Sequence, residues 1–223
     1  MSIEIENTEV FGWKMAILGC RNPMNSCEES DSDFWCDGEG MYCSNGSAYI
    51  GPNDHKLLMN LCKGGTEESK WRRMVHVQMD VTAPLYWWKE FETYKVATVS
   101  NSCSTMHKIH AKEFTLEDFS CEHLSGIDIG QGVGAPHQNL KNTIRMLNEC
   151  RNLFITTKDK DYWYQMIQLL PTSYNQKRTI DLNYEVLAAQ YRQRKDHKLD
   201  EWHQYCDWIH TLPYSEFITM EET

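Results

Sequence analysis

Met74-Val75-His76-Val77-Gln78-Met79-Asp80-Val81-Thr82-Ala83-Pro84-Leu85-Tyr86-Trp87-Trp88 is the stretch on which the fold of this chain turns. From Met74 to Thr82 apolar and polar residues alternate. Val75, Val77, Met79 and Val81 fall on one face, and His76, Gln78 and Asp80 on the other. That period is the mark of a strand with one buried face. Pro84 then occupies a natural first-turn position, and Leu85, Trp88, Phe91 and Lys95 recur at helical spacing, so a helix is expected over about 84–95.

Upstream, residues 8–20 are apolar enough for a buried strand or a short helix, and periodicity does not choose between them. Glu28 to Gly51 is a polar excursion whose Asp, Ser, Gly and Asn content is not expected to form a packed element. After Gly51-Pro52 and Asn53-Asp54, which suit a helix start, Leu57, Leu58 and Leu61 follow a helical pattern until Gly64-Gly65.

Downstream, residues 96–104 are small, β-branched or hydroxylated and read as a loop. Gly126 to Pro136, with Gly130, Gly132 and Gly134 alternating, reads as a flexible segment outside the known phosphate-binding loop patterns. Helices are expected over about 138–154, 160–170, 179–194 and 198–211, with Pro171 and Pro213 as punctuation. In the third, Asn183, Leu187, Gln190 and Arg194 stand at offsets 0, 4, 7 and 11 and share one side. At 1.5 Å per residue Asn183 and Arg194 are roughly 16 Å apart, the span of a nucleotide-sized ligand, although an ordinary polar helix face has the same pattern.

A chain of 223 residues suits one domain over 1–223, with the excursion at about 28–51 as an insertion. Its 22 basic and 32 acidic residues give a net charge of −10, a field that repels nucleic-acid polymers. A mononucleotide is still compatible, since one phosphate needs only a few local cations. No run approaches the ~20 apolar residues of a membrane helix, and the acidic start does not resemble a signal peptide, so a soluble, cytoplasmic protein without membrane contact is expected. The nine cysteines are scattered and read as reduced thiols. Cys20, Cys27, Cys36 and Cys43, spaced by 7, 9 and 7, lack close Cys-x-x-Cys pairs, and His107 with His110, like His203 with Asp207 and His210, reads as surface or capping; no metal is expected. Trp87, Trp88 and Tyr94 are either stacking surfaces for a ligand or core.

Several of these segments, in this order, resemble the flavin-dependent thymidylate synthases. That family runs an apolar strand into Ala-Pro, continues through a helix ending in Arg-His-Arg, and then places an Ala-Ser and a further Ser. Here Val75 to Thr82 enters Ala83-Pro84, the helix reaches Thr93-Tyr94-Lys95, and Ala97-Thr98 and Cys103-Ser104 follow at matching spacing. The family then has Leu-Pro, an arginine, an Asn, a second arginine, a His and a helix with Gln-Trp-Glu. This chain gives Leu170-Pro171, Lys177, Asn183, Arg194, His197 and Glu201-Trp202. The chain departs from the pattern at Thr93 and Tyr94, at Cys103 and Thr105, and at Glu185, where the family carries an arginine.

The resemblance implies an α+β, thymidylate synthase-complementing-protein-like domain: an antiparallel sheet with flanking helices and a helical C-terminal half. It implies reductive methylation of dUMP, or a related one-carbon transfer, with FAD as hydride carrier and NADPH and methylenetetrahydrofolate as co-substrates. Arg194 would hold the pyrimidine and stabilise charge as it reacts, and Lys177 would help receive the phosphate. Ser104 and Cys103 would also face the substrate, while Lys95, Tyr94, Asn183 and His197 would contact the cofactor. A homotetramer is implied as well, which Trp71, Trp87, Trp88, Trp163, Trp202 and Trp208 would suit by supplying subunit contacts. Thr93, Tyr94 and Glu185 remove charge-assisted bonds from a diphosphate site, so the alternative is a catalytically inactive nucleotide-binding or scaffold protein on the same fold.

Overall fold

The Tyr184 N–H donates to the Val75 carbonyl and the Leu85 N–H to the Tyr174 carbonyl, both at 3.0 Å, which sets two strands antiparallel. The two bonds flank β4 (His76–Pro84) and β6 (Asn175–Asn183) of a computed structural model that describes residues 3–34, 48–130 and 132–221. In chain order the elements are β1 (Glu4–Phe11), α1 (Trp13–Arg21), β2 (Asp33–Phe34), β3 (Ala48–Tyr49), α2 (Pro52–Lys63), β4 (His76–Pro84), α3 (Leu85–Phe91), β5 (Val99–Ser102) and α4 (Thr105–Lys108). There follow α5 (Pro136–Thr157), α6 (Lys160–Leu169), β6 (Asn175–Asn183), α7 (Tyr184–Arg194), α8 (Asp200–His210) and α9 (Glu216–Thr219). The main sheet has the order β1-β4-β6-β5, and β2 pairs with β3. The expected class is therefore found: mixed α and β, an antiparallel sheet, and a helix-rich C-terminal half.

β4 behaves as its alternation requires. Val77, Met79 and Val81 are buried, and the other face is polar. There Gln78 donates to Asp181 at 2.7 Å, His76 Nδ1 lies 3.0 Å from the same carboxylate, and Thr179 donates to Asp80 at 2.6 Å. Cross-strand pairs of this kind fix the register of the solvent face.

Four secondary-structure expectations need correction. Residues 8–20 are neither strand nor helix throughout: β1 ends at Phe11 and α1 begins at Trp13. Gly12 makes the turn at φ +103°, and a Cβ there would meet the Met74 carbonyl oxygen at 2.0 Å. The helix after Pro84 stops at Phe91, leaving Thr93 to Lys95 beyond it. Residues 99–102 form β5 instead of a loop, because a sheet edge can take small and hydroxylated residues. Finally, Thr179 to Asn183 belongs to a strand, and α7 begins only at Tyr184. Asn183 is its N-cap, so it does not lie on a helical face with Arg194.

By contact the chain falls into two units interleaved along the sequence: Met1–Glu4, Val81–Thr93 and Asn101–Arg178 form the first, and Ile5–Asp80, Tyr94–Ser100 and Thr179–Thr223 the second. In the first, α5 and α6 enclose Leu140, Ile144, Leu147, Cys150 and Met166 together with Ile109, Phe114 and Phe119. Asn148 pins the incoming chain by donating to the Phe114 carbonyl at 2.8 Å and accepting its N–H at 2.9 Å. Trp87, Trp88 and Phe91 are buried, and the Trp88 indole donates to the Gln176 carbonyl at 2.9 Å, so α3 supplies core and not a stacking surface for a ligand.

The second unit is built on an aromatic cluster in which Trp13 meets Tyr184 and Tyr214 edge-on, at 5.1 and 5.4 Å, and Trp71 meets Phe217 at 5.2 Å. Trp71, Trp87, Trp88 and Trp202 are buried inside their own unit, so of the six tryptophans named for subunit contacts only Trp163 and Trp208 keep exposed area. The described ends of the polar excursion are packed, contrary to expectation. Asp54 is fully buried, takes Arg21 Nε at 2.5 Å, and accepts the Ser30 and Ser32 hydroxyls at 2.6 Å each. Asp31 caps α2 by accepting the N–H groups of Asn53 and Asp54, at 2.9 and 3.1 Å. Cys36 and Cys43 lie outside the described residues.

Candidate functional site

In the first unit a cleft of about 270 Å³ opens beside the start of β6. Its walls include Cys103, Ser104, Lys108, Tyr174 and Lys177. The backbone is stitched there: the Cys103 N–H donates to the Lys177 carbonyl at 3.0 Å, and buried Gln176 donates through Nε2 to the Cys103 carbonyl at 2.7 Å. Ser104 caps α4, its hydroxyl oxygen accepting the His107 N–H at 3.0 Å. Burial pushes the Tyr174 phenol up to about 12, with Asp118 and Cys103 adding to the shift, so it stays a neutral hydroxyl at physiological pH.

Three lysines, Lys108, Lys112 and Lys177, face Glu4, Glu117 and Asp118 in this cleft. Lys112 is tied to Asp118 by an ion pair, while Lys108 and Lys177 are exposed. Three cations against three carboxylates make the cleft locally neutral, on a chain whose net charge is −10. Ammonium groups and hydroxyls together form a donor set for a single phosphate. Sequence reasoning named Cys103, Ser104 and Lys177 but missed Lys108 and Tyr174; Ser104, as a helix-capping type just before Thr105 to Lys108, was the available signal.

In the second unit Arg194 is half-buried. Its Nε–H donates to the Tyr94 hydroxyl at 2.9 Å, and its guanidinium lies 4.8 Å from the centroid of the buried Trp202 ring. The Tyr94 hydroxyl in turn donates to Gln193 at 2.9 Å. His197 follows α7, accepts the Leu199 N–H on Nδ1 at 3.2 Å, and packs edge-on to Trp202 at 6.2 Å. It also lines an open cleft of about 540 Å³ with His203, Asp207 and His210. Among the described residues no group of three or more His, Cys, Asp or Glu is placed to hold a metal.

Asn183 is buried, and its side-chain oxygen accepts the Val186 N–H at 3.1 Å. Glu185, at the position where the resemblance has an arginine, pairs with Arg72 at 2.7 Å. Lys95 is exposed beyond the end of α3.

The fold is shared with solved structures. One is the flavin-dependent thymidylate synthase ThyX from Helicobacter pylori complexed with FAD and dUMP, at 13% identity and a TM-score of 0.65, covering 99% of this chain and 99% of that one. The second is ThyX from the same organism with FAD and dUMP, at 13% identity and a TM-score of 0.63, covering 99% and 98%. No protein-family model and no curated protein matches the chain. The chain therefore has a ThyX-like fold.

Residues 93–95 do not fit the diphosphate of a dinucleotide. The Thr93 hydroxyl donates to the Glu90 carbonyl at 2.8 Å and the Tyr94 hydroxyl is engaged by Gln193 and Arg194. One point charge, Lys95, stands where two phosphates would call for paired guanidinium forks.

Proposed function

We propose that this chain is a thymidylate synthase-like protein of the flavin-dependent type that binds dUMP, with the phosphate in the cleft of Lys108 and Lys177. The observation that carries this reading is that Cys103, Ser104 and Lys177, the three residues besides Arg194 assigned to substrate from the sequence, line one cleft of about 270 Å³. That volume lies near the lower bound of small-molecule sites and suits a mononucleotide better than a dinucleotide. Arg194 is the residue that the resemblance assigns to the pyrimidine. In proteins of this type the reaction is reductive methylation of dUMP, with methylenetetrahydrofolate as carbon donor, NADPH as reductant and FAD as hydride carrier; here residues 93–95 offer no paired forks to the FAD diphosphate, so a flavin would need other donors. A homotetrameric assembly and a cytoplasmic setting belong to the same proposal.

A second reading, a catalytically inactive nucleotide-binding or scaffold protein, is favoured by the engaged hydroxyls of Thr93 and Tyr94. The absorbance of the purified protein in the flavin region separates the two, because a bound flavin brings its own visible spectrum. A yellow protein that converts dUMP supports the synthase. A colourless protein that binds dUMP and cannot be reconstituted with FAD supports the second reading, and one that binds neither contradicts both.

A further inference from the structure

Tyr94 follows α3, outside α7, yet it holds the end of that helix. Its hydroxyl accepts the Arg194 Nε–H and donates to Gln193 Oε1, each at 2.9 Å. The Arg194 guanidinium carbon stands 5.6 Å from the centroid of the Tyr94 ring and 4.8 Å from that of Trp202. Trp202 is itself fixed. It is fully buried, edge-on to Tyr205 at 5.5 Å, and Tyr205 donates to buried Gln190 at 2.8 Å. A guanidinium is planar, so tying Nε and packing one face sets the direction of both terminal amino groups.

We propose that Tyr94 is a positioning residue that fixes the Arg194 guanidinium in the orientation in which it receives the pyrimidine nucleotide; the inference rests on the reading of Arg194 given above. A cation at position 94 would repel this guanidinium at close range. A neutral phenol both accepts the Nε–H and offers a ring face to the positive charge. Where the flavin-dependent family carries the histidine of Arg-His-Arg, this chain places a neutral phenol, and that phenol is committed to Arg194 and Gln193.

Titration calorimetry with dUMP on the wild type, Tyr94→Phe, Arg194→Lys and the double variant tests this. Tyr94→Phe keeps the ring and removes the acceptor, so affinity is expected to fall about tenfold with little change in melting temperature. In the Arg194→Lys background, which has no Nε–H, Tyr94→Phe is expected to add nothing. Arg192→Ala, exposed and two residues away, serves as a control expected to bind as wild type. Unchanged affinity in Tyr94→Phe, or an equal loss in both backgrounds, overturns the positioning role while leaving dUMP binding intact. A wild type that does not bind dUMP removes the functional reading itself and this inference with it. Whether or not the variants fold, the wild-type Arg194 Nε–H should be protected from exchange in nitrogen-edited NMR, and rapid exchange would overturn the proposal.

Discussion

Glu185 and Arg72 form an ion pair in which one carboxylate oxygen takes both Nε and Nη2 of the guanidinium at 2.7 Å. Arg72 also donates through Nη1 to the Phe217 carbonyl and through Nη2 to the Ser69 hydroxyl, both at 3.1 Å. The acidic residue at 185 is thus partly buried against its unit, where it neutralises a nearly buried cation.

Removing one member of such a pair strands the other. Glu185→Ala is expected to cost about 3 kcal/mol of stability, as found when a buried pair loses a partner. Chemical denaturation measures it. Glu185→Arg, which restores the cation seen in the flavin-dependent family, should be worse, since it sets two guanidinium groups against each other. Stability equal to wild type in both variants would show that the pair is a surface contact.

Asp54 makes a pH prediction. Burial alone would raise its pKa, but the hydrogen bonds from Ser30, Ser32 and Arg21 outweigh that and the carboxyl titrates below its ordinary value. A depressed carboxylate pKa contributes stability that is full above the unfolded value, about 4, and is lost as pH falls through the folded value. Asp54→Asn should therefore be destabilised at neutral pH and show a shallower loss of stability on acidification below about pH 4. Parallel acid titrations of wild type and variant by circular dichroism check this, and identical slopes would count against it.

The thiols separate by exposure. Burial pushes Cys20 up to about 12 and Cys62 and Cys206 up to about 11, so they carry almost no thiolate near neutrality. Cys103 is exposed and lines the cleft. Brief alkylation followed by peptide mapping should modify Cys103 well before Cys20, Cys62 and Cys206, and dUMP should slow that modification. Labelling of Cys103 that is indifferent to dUMP would place the nucleotide elsewhere.

β4 was legible because Val75, Val77, Met79 and Val81 sit on a face that is wholly buried, where period and burial coincide. β6 was not, because Lys177, Arg178 and Asp181 are poor strand formers. Their cost is met by tertiary partners: Arg178 stacks 4.4 Å over Trp88 and pairs with Glu92 at 2.7 Å, and Asp181 takes Gln78. The helical run Tyr184 to Arg194 then drew the expected helix start too early. Of the candidate site, Cys103, Ser104 and Lys177 followed from the resemblance to the flavin-dependent family, Lys108 follows locally on the helix that Ser104 caps, and Tyr174 reaches the cleft only through the pairing of segments far apart in sequence. Asn183 was visible as a residue but not as a cap, since its role depends on where the strand ends.

The most direct measurement is calorimetric titration of the wild type and Lys177→Ala with dUMP and with deoxyuridine, which lacks the phosphate. The account predicts that dUMP binds with a dissociation constant in the micromolar range, about −6 to −8 kcal/mol, and that deoxyuridine binds at least about tenfold more weakly. Lys177→Ala should lose about tenfold for dUMP and little for deoxyuridine, because only the phosphate uses that cation. Equal affinity for the two ligands, or no dUMP binding up to about a millimolar, would contradict the claim that this fold holds a pyrimidine nucleotide by its phosphate in the cleft of Lys108 and Lys177.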